Sequence, residues 1–348
     1  MRRENAFVCI GSLAMAWAIS ACAGAEIVEP ERDTADLLAK LRTVCLAEQG
    51  GGAIAACRKV VRMQPEDAEV EGRLGWLLVQ DGRLPEGTAH LRKSLDLRPG
   101  HAETLVQLAS ALHRRGDLQA AVESYRKAIQ VRPDDIDTCV TLAQLLRKLK
   151  HREQAVEVLR QAVERQPGSA AAWAQLSLTL GTLGREAEAI EAGRKAVALA
   201  PDDANVHSNL GLFLSNQGAV AEAILHLKRA VELEEQNATA WYNLGLAHTK
   251  GDALEEAARA FLRSLSLRED FPQAHHSLAV VLTGMGLCKL AAAHFDRSHE
   301  LGVRSAPIVV EQFRAICQPA RVEPAGEPKA AEGEDDGAEA VKGEDGDG

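Results

Sequence analysis

The sequence predicts an all-α chain: an α-solenoid of about eight stacked helix-turn-helix units, each 34 residues long, closed by a C-terminal capping helix. Three observations predict it. The composition is 46% hydrophobic but only 3% aromatic. Its apolar share comes mainly from Ala and Leu, mixed with Glu, Arg and Gln, which favour helices over pleated strands. Pro65, Pro99, Pro133, Pro167 and Pro201 recur every 34 residues, and Glu235 and Glu269 continue the series. A fixed period of this length is the mark of stacked modules. With the proline set at position 32, units start at 34, 68, 102, 136, 170, 204, 238 and 272. Position 7 then holds Leu74, Leu108, Leu142, Leu176, Leu210, Leu244 and Leu278, and position 20 holds Ala in seven units, with Gly87 the exception.

Each segment has its own logic. Met1-Arg2-Arg3 precedes an apolar run over residues 6–19, the length of a signal-peptide core and short for a membrane span. The run ends in Ile19-Ser20-Ala21-Cys22, which resembles the lipobox of bacterial lipoproteins. That resemblance implies a signal peptide over 1–21, lipidation of Cys22 and tethering by acyl chains, with the outer membrane as the expected site. A second reading stands beside it: ordinary cleavage after Ala25, giving a soluble periplasmic or secreted protein. Residues 22–33 read as a linker, 34–305 as the repeat array, 306–318 as the capping helix and 319–348 as a disordered tail. The tail carries ten acidic residues against Arg321, Lys329 and Lys342, with almost nothing to bury. It reads as a solubilising tail rather than a docking arm.

Within a unit, the apolar residues of the first half fall at helical spacing, as in Trp173, Leu176, Leu180 and Leu183. A glycine at position 15 (Gly82, Gly116, Gly184, Gly218, Gly286) leaves the first helix. Small residues at positions 8 and 20 let the two helices approach, and the proline ends the second. These columns resemble the tetratricopeptide repeat: Trp173 and Trp241 in its tryptophan slot, Leu210-Gly211 and Leu244-Gly245 in its Leu-Gly slot, and Tyr125, Phe261 and Phe295 in its large slot. The resemblance covers roughly residues 34–305 and implies a right-handed superhelix with a groove lined by first-helix positions 2, 5, 6, 9, 12 and 13. The first unit departs most, with Lys40-Leu41 for Leu-Gly and Gly50-Gly51-Gly52 as its expected turn.

In that groove two sets of residues are expected. Arg73, His113, Arg114, Arg147 and Lys148 make a basic patch in the early units. Gln175, Leu178, Asn209, Leu212, Asn216, Tyr242, Asn243, Leu246 and Val280 make an apolar strip flanked by amides, suited to an extended peptide backbone and its side chains. Position 5 carries no lysine, so the carboxylate-clamp specialisation of the family is not expected.

Other functions find no support in the residues. A net charge of −10 argues against nucleic-acid binding. The eleven histidines are scattered, no Cys/His pair has zinc-ligand spacing, and no catalytic constellation or cofactor motif is present. His207 and His248 read as packing residues. Among the cysteines, Cys45 and Cys57 sit equidistant from the first turn, and Cys288 and Cys317 lie near one end of facing helices, so both pairs are placed to bridge. Cys139 reads as a free core thiol. The expectation is a non-enzymatic scaffold that holds an extended or helical peptide of an envelope protein and meets the membrane only through its lipid. Two alternatives remain: a structural or regulatory protein working through its outer face or tail, and an assembly factor like the tetratricopeptide pilotins.

Overall fold

The computed structural model describes residues 30–303 and 305–317, and every regular element among them is a helix. In chain order these are α1 (Pro30–Ala47), α2 (Gly50–Met63), α3 (Ala68–Gln80), α4 (Leu84–Leu97), α5 (Ala102–Arg115), α6 (Leu118–Val131), α7 (Ile136–Lys148), α8 (Arg152–Arg165) and α9 (Ala170–Thr182). There follow α10 (Glu186–Leu199), α11 (Ala204–Gln217), α12 (Val220–Leu233), α13 (Ala238–Lys250), α14 (Leu254–Leu267), α15 (Pro272–Gly284), α16 (Cys288–Glu300) and α17 (Pro307–Cys317). First helices open at 68, 102, 136, 170, 204, 238 and 272, and α1 begins four residues ahead of the period. The signal segment, Cys22 and the acidic tail lie outside the described residues. None of the described helices is long and apolar enough to cross a membrane.

The chain divides into two compact units, Met1–Gly184 and Arg185–Gly348. Inside each, helices form a solenoid of hairpins: the first helix packs on its own second helix, and that second helix on the next first helix. First helices also lie against one another, α1 on α3 and α3 on α5 in the first unit, α11 on α13 and α13 on α15 in the second. No hairpin covers its own apolar face, so the core is continuous along each stack.

The local chemistry explains the joints. Side chains of Asp67, Asp135, Ser169, Asp203 and Asn237 accept hydrogen bonds from the first free N–H groups of α3, α7, α9, α11 and α13. Position 15 is left-handed in units two to eight: the five glycines have φ between 73° and 93°, and Lys150 (65°) and Asp252 (57°) adopt the same conformation without being glycine. Position 8 is where hairpins close. A Cβ on Gly75 would stand 2.8 Å from the Leu91 nitrogen and 2.9 Å from the Gly87 oxygen, so this hairpin needs both glycines. Gly245 leaves room for the ring of Phe261, which is fully buried.

The ends differ from the middle. Gly50, Gly51 and Gly52 do not form the first turn; they open α2, and Glu48-Gln49 make the turn instead. Cys45 and Cys57, both fully buried, are joined by a disulfide across α1 and α2. At the other end Cys288 is joined to Cys317, tying α17 to α16. Cys139 is free and buried, and burial pushes its thiol pKa up.

Candidate functional site

The wall of first helices carries the expected binding residues, and the structure sorts them by what each side chain already holds. In the first unit Arg73 is engaged: its Nε donates to the Cys45 oxygen at 3.2 Å and an amino group to the Glu48 oxygen at 2.7 Å. Arg114 likewise donates to the Val79 oxygen at 3.0 Å. Both cations therefore sit at the carbonyl end of the preceding first helix, where the helix dipole and unpaired carbonyls favour positive charge. The Nε of Arg147 is buried without a hydrogen-bond partner among the described residues, His113 is half-buried, and Lys148 is exposed. The expected basic patch is thus partly a set of inter-repeat ties.

Trp76, at position 9 of the second repeat, is a residue that sequence reasoning passed over. It is half-buried. Two hollows share Trp76 and Arg73 in their linings. One, about 360 Å³, continues onto Gly72, Arg98, Thr104 and Gln107; the other, about 450 Å³, onto Gln49, Ile54, Leu77 and Gln80. The acidic rim is restrained by one ion pair and one hydrogen bond, since Glu69 is bridged to Arg42 at 2.5 Å and Glu103 accepts from the Gln107 amide at 3.2 Å. The signal was present in the sequence: position 9 belongs to the predicted lining, and tryptophan is the one large aromatic there. Further along the same unit, Gln175 and Leu178 are half-buried on α9.

The second unit places Asn209, Leu212, Tyr242, Leu246 and Val280 on α11, α13 and α15, all half-buried, with Asn216 exposed. Tyr242 and Leu246 lean on the core around Phe261 and Leu278, and the Tyr242 ring lies 4.9 Å from that of Phe271. Asn243 differs from the expectation. It is 4% exposed and its amide donates to the Ser208 hydroxyl at 3.0 Å, joining α13 to α11 instead of presenting a free amide. The physical reason is register: position 6 turns toward the preceding first helix, where a hydroxyl at position 5 meets it. Lys250 makes the companion tie, to the Ser215 oxygen at 3.0 Å and to Asn216 Oδ1 at 3.1 Å.

The histidines are not scattered in space. His207 meets His226 and His275 meets His294, each pair with Nδ1 atoms 2.9 Å apart. Burial lowers the pKa of His226 and His294, and the facing histidine lowers each further. Among the described residues, no three or more His, Cys, Asp or Glu side chains are grouped to hold a metal ion. The wall offers apolar surface, fixed amides and a tryptophan, which is chemistry suited to binding.

Models of the tetratricopeptide repeat match residues 73–136, 112–178, 170–203, 214–252 and 238–271, together more than half of the chain. A search of curated proteins finds no match. Among solved structures, the chain is similar to one in the APC/C hetero-tetramer Cut9–Hcn1, with 20% identity and a TM-score of 0.55 over 83% of this chain and 57% of that one. It is also similar to a tetratricopeptide repeat protein from Parabacteroides merdae ATCC 43184, with 15% identity and a TM-score of 0.56, covering 71% of this chain and 97% of that one. At these identities the likeness is one of fold, and this chain spans little more than half the length of the first of the two.

Proposed function

Because the chain belongs to the tetratricopeptide repeat family, we propose that it is a non-enzymatic scaffold holding a peptide segment of another protein against its first-helix walls. The observation that carries this reading is Trp76: a large aromatic kept half-exposed beside two hollows, with Arg73 immobilised next to it by backbone carbonyls. A rigid aromatic anchor with prearranged polar neighbours loses little freedom on binding. In the second unit Asn209, Leu212 and Val280 supply an amide and apolar contacts that suit an extended or helical segment.

Sequence alone supports the finer reading, that the partner is an envelope protein and that Cys22 carries a lipid. The pilotin-like assembly role rests on the same two features, lipobox and repeats. A second reading, association through the outer face, draws on Leu225 and Leu262 of α12 and α14, which are 69% and 51% exposed.

A crosslinking pull-down from the envelope fraction tests the main reading, comparing wild type with Trp76→Ala and with Leu212→Glu at matched helicity. Partner recovery should fall at least about tenfold in one of the two variants, the loss expected for a removed anchor. Equal recovery in all three, with loss in Leu225→Glu, transfers the function to the outer face. Labelling with a radioactive fatty acid, lost in Cys22→Ser, tests the anchor separately.

A further inference from the structure

The two histidine pairs occupy a slot that the repeat fills in another way elsewhere. At position 4, Trp173 and Trp241 donate their indole N–H to the carbonyl oxygens of Pro167 and Glu235, at 2.8 and 2.9 Å. His207 and His275 reach the same carbonyls, of Pro201 and Glu269, through Nε2 at 3.0 and 2.9 Å. The residue opposite, at position 23, changes in step. It is Ala260 in the repeat of Trp241, and His226 or His294 in the repeats of His207 and His275.

The carbonyl fixes the protons. An oxygen that only accepts requires a hydrogen on Nε2 of His207 and His275, which leaves their Nδ1 atoms bare in the neutral ring. Those Nδ1 atoms must then accept, so Nδ1 of His226 and His294 carries the shared hydrogen. One added proton is tolerated, on Nε2 of the half-buried partner. A second would set N–H against N–H at 2.9 Å, at a site where His207 and His275 are only 6% and 7% exposed. Few neighbouring charges offset this. His226 faces His207 from α11, Arg194 from α10 and Glu222 from its own helix, while His294 faces His275.

We propose that these pairs make the hairpins α11–α12 and α15–α16 acid-labile, so that mild acidification loosens the second unit selectively. The direction follows from proton counting. Unfolded histidines each take a proton near pH 6.5, whereas a folded pair holds at most one. Stability from the pairs is full above that pH and is lost progressively as the pH falls below it toward the lowered folded values of His226 and His294. The corresponding slot of the second repeat is filled otherwise. There His90 Nδ1 lies 2.6 Å from Glu71 Oε2, with Lys93 Nζ 2.5 Å from the other oxygen, so a protonated histidine gains a carboxylate partner. The inference does not depend on what the walls bind.

The chain itself supplies the control, since its tryptophan–alanine version of the slot keeps the carbonyl hydrogen bond. Unfolding of wild type is compared with the quadruple variant His207→Trp, His226→Ala, His275→Trp, His294→Ala, from pH 7.5 to 5, with hydrogen exchange resolving the helices. Below pH 6.5 the unfolding constant of each paired hairpin should rise by about tenfold per pH unit for each proton that the unfolded pair binds and the folded pair does not, two at first and one once the half-buried partner is charged. Protection of α11, α12, α15 and α16 should fall more steeply in wild type than in the variant, which keeps His248 and His276, two further histidines whose pKa burial lowers. Equal pH dependence in the two proteins overturns the proposal. So does thermal stabilisation of wild type, and not of the variant, by zinc ions at pH 7.5, which would make the pairs metal ligands. If the quadruple variant does not fold, the separate variants His207→Trp/His226→Ala and His275→Trp/His294→Ala are read in the same way, each on its own hairpin.

Discussion

The two ends of the array are each closed by a disulfide, but the disulfides do different work. Cys45–Cys57 lies inside a core, with both sulfurs fully buried among Ile54, Val60 and Leu74. Cys288–Cys317 ties down α17, a helix with no fully buried residue, whose Ile308 and Ile316 are 60% and 50% exposed. The chief apolar contact of α17 is Phe313, edge-on to Phe295 at 5.5 Å. Where a hairpin already has a core, the covalent bond adds to it; where a cap is thinly packed, the bond is the attachment.

The largest expected effect sharpens this contrast. Replacing Cys45 and Cys57 together by alanine should cost about 3 kcal/mol in the first hairpin, from lost loop constraint and lost packing. Hydrogen exchange across α1 to α3 measures it, and a loss below about 1 kcal/mol would put the burden on the surrounding apolar residues alone. Overpacking comes next. Gly245→Ala places a methyl 2.5 Å from the Phe261 ring and should cost about 1–3 kcal/mol by urea unfolding, since that ring has no solvent side to retreat to. The other disulfide follows. Cys288→Ser with Cys317→Ser should change the stability of the array by about 1 kcal/mol or less, because little core is involved. It should nonetheless release α17 from the array and make that helix susceptible to protease. Survival of an intact C-terminal helix under digestion would show that Phe313 is a sufficient anchor. The smallest effect has the opposite sign: Lys150→Gly should raise the midpoint of thermal unfolding, by about 0.5–1 kcal/mol of stability, because a left-handed backbone strains any side chain. Asp252→Gly should gain less if its side chain stabilises the turn locally.

Local features were legible in the sequence and lateral ones were not. Helix positions followed from the 3.6-residue spacing of Leu74, Leu78 and their equivalents, and turns from the position-15 glycines, because both are decided within a few residues. The cysteine pairs were legible because each lies across a single hairpin or joins two consecutive helices. Apart from the first turn, which lies at Glu48-Gln49 and not at the three glycines, what failed depends on a neighbour about a repeat away or on the facing helix. Arg73 and Arg114 read as groove cations because their acceptors lie 25 to 35 residues earlier. Asn243 read as a groove amide because its partner, Ser208, lies on the preceding first helix. The histidines read as unrelated because 19 residues separate partners across a hairpin.

One property of the ties between repeats reaches beyond the finished molecule. Arg114 to Val79, Asn243 to Ser208, Lys250 to Ser215, and the position-4 rings to the carbonyls before them all run from a later donor to an earlier acceptor. During synthesis the acceptor has therefore already left the ribosome when the donor emerges. These joints find their acceptors waiting, whereas the ion pairs of Arg42 with Glu69, Arg58 with Glu86 and Arg194 with Glu222 run the other way and wait for the later residue.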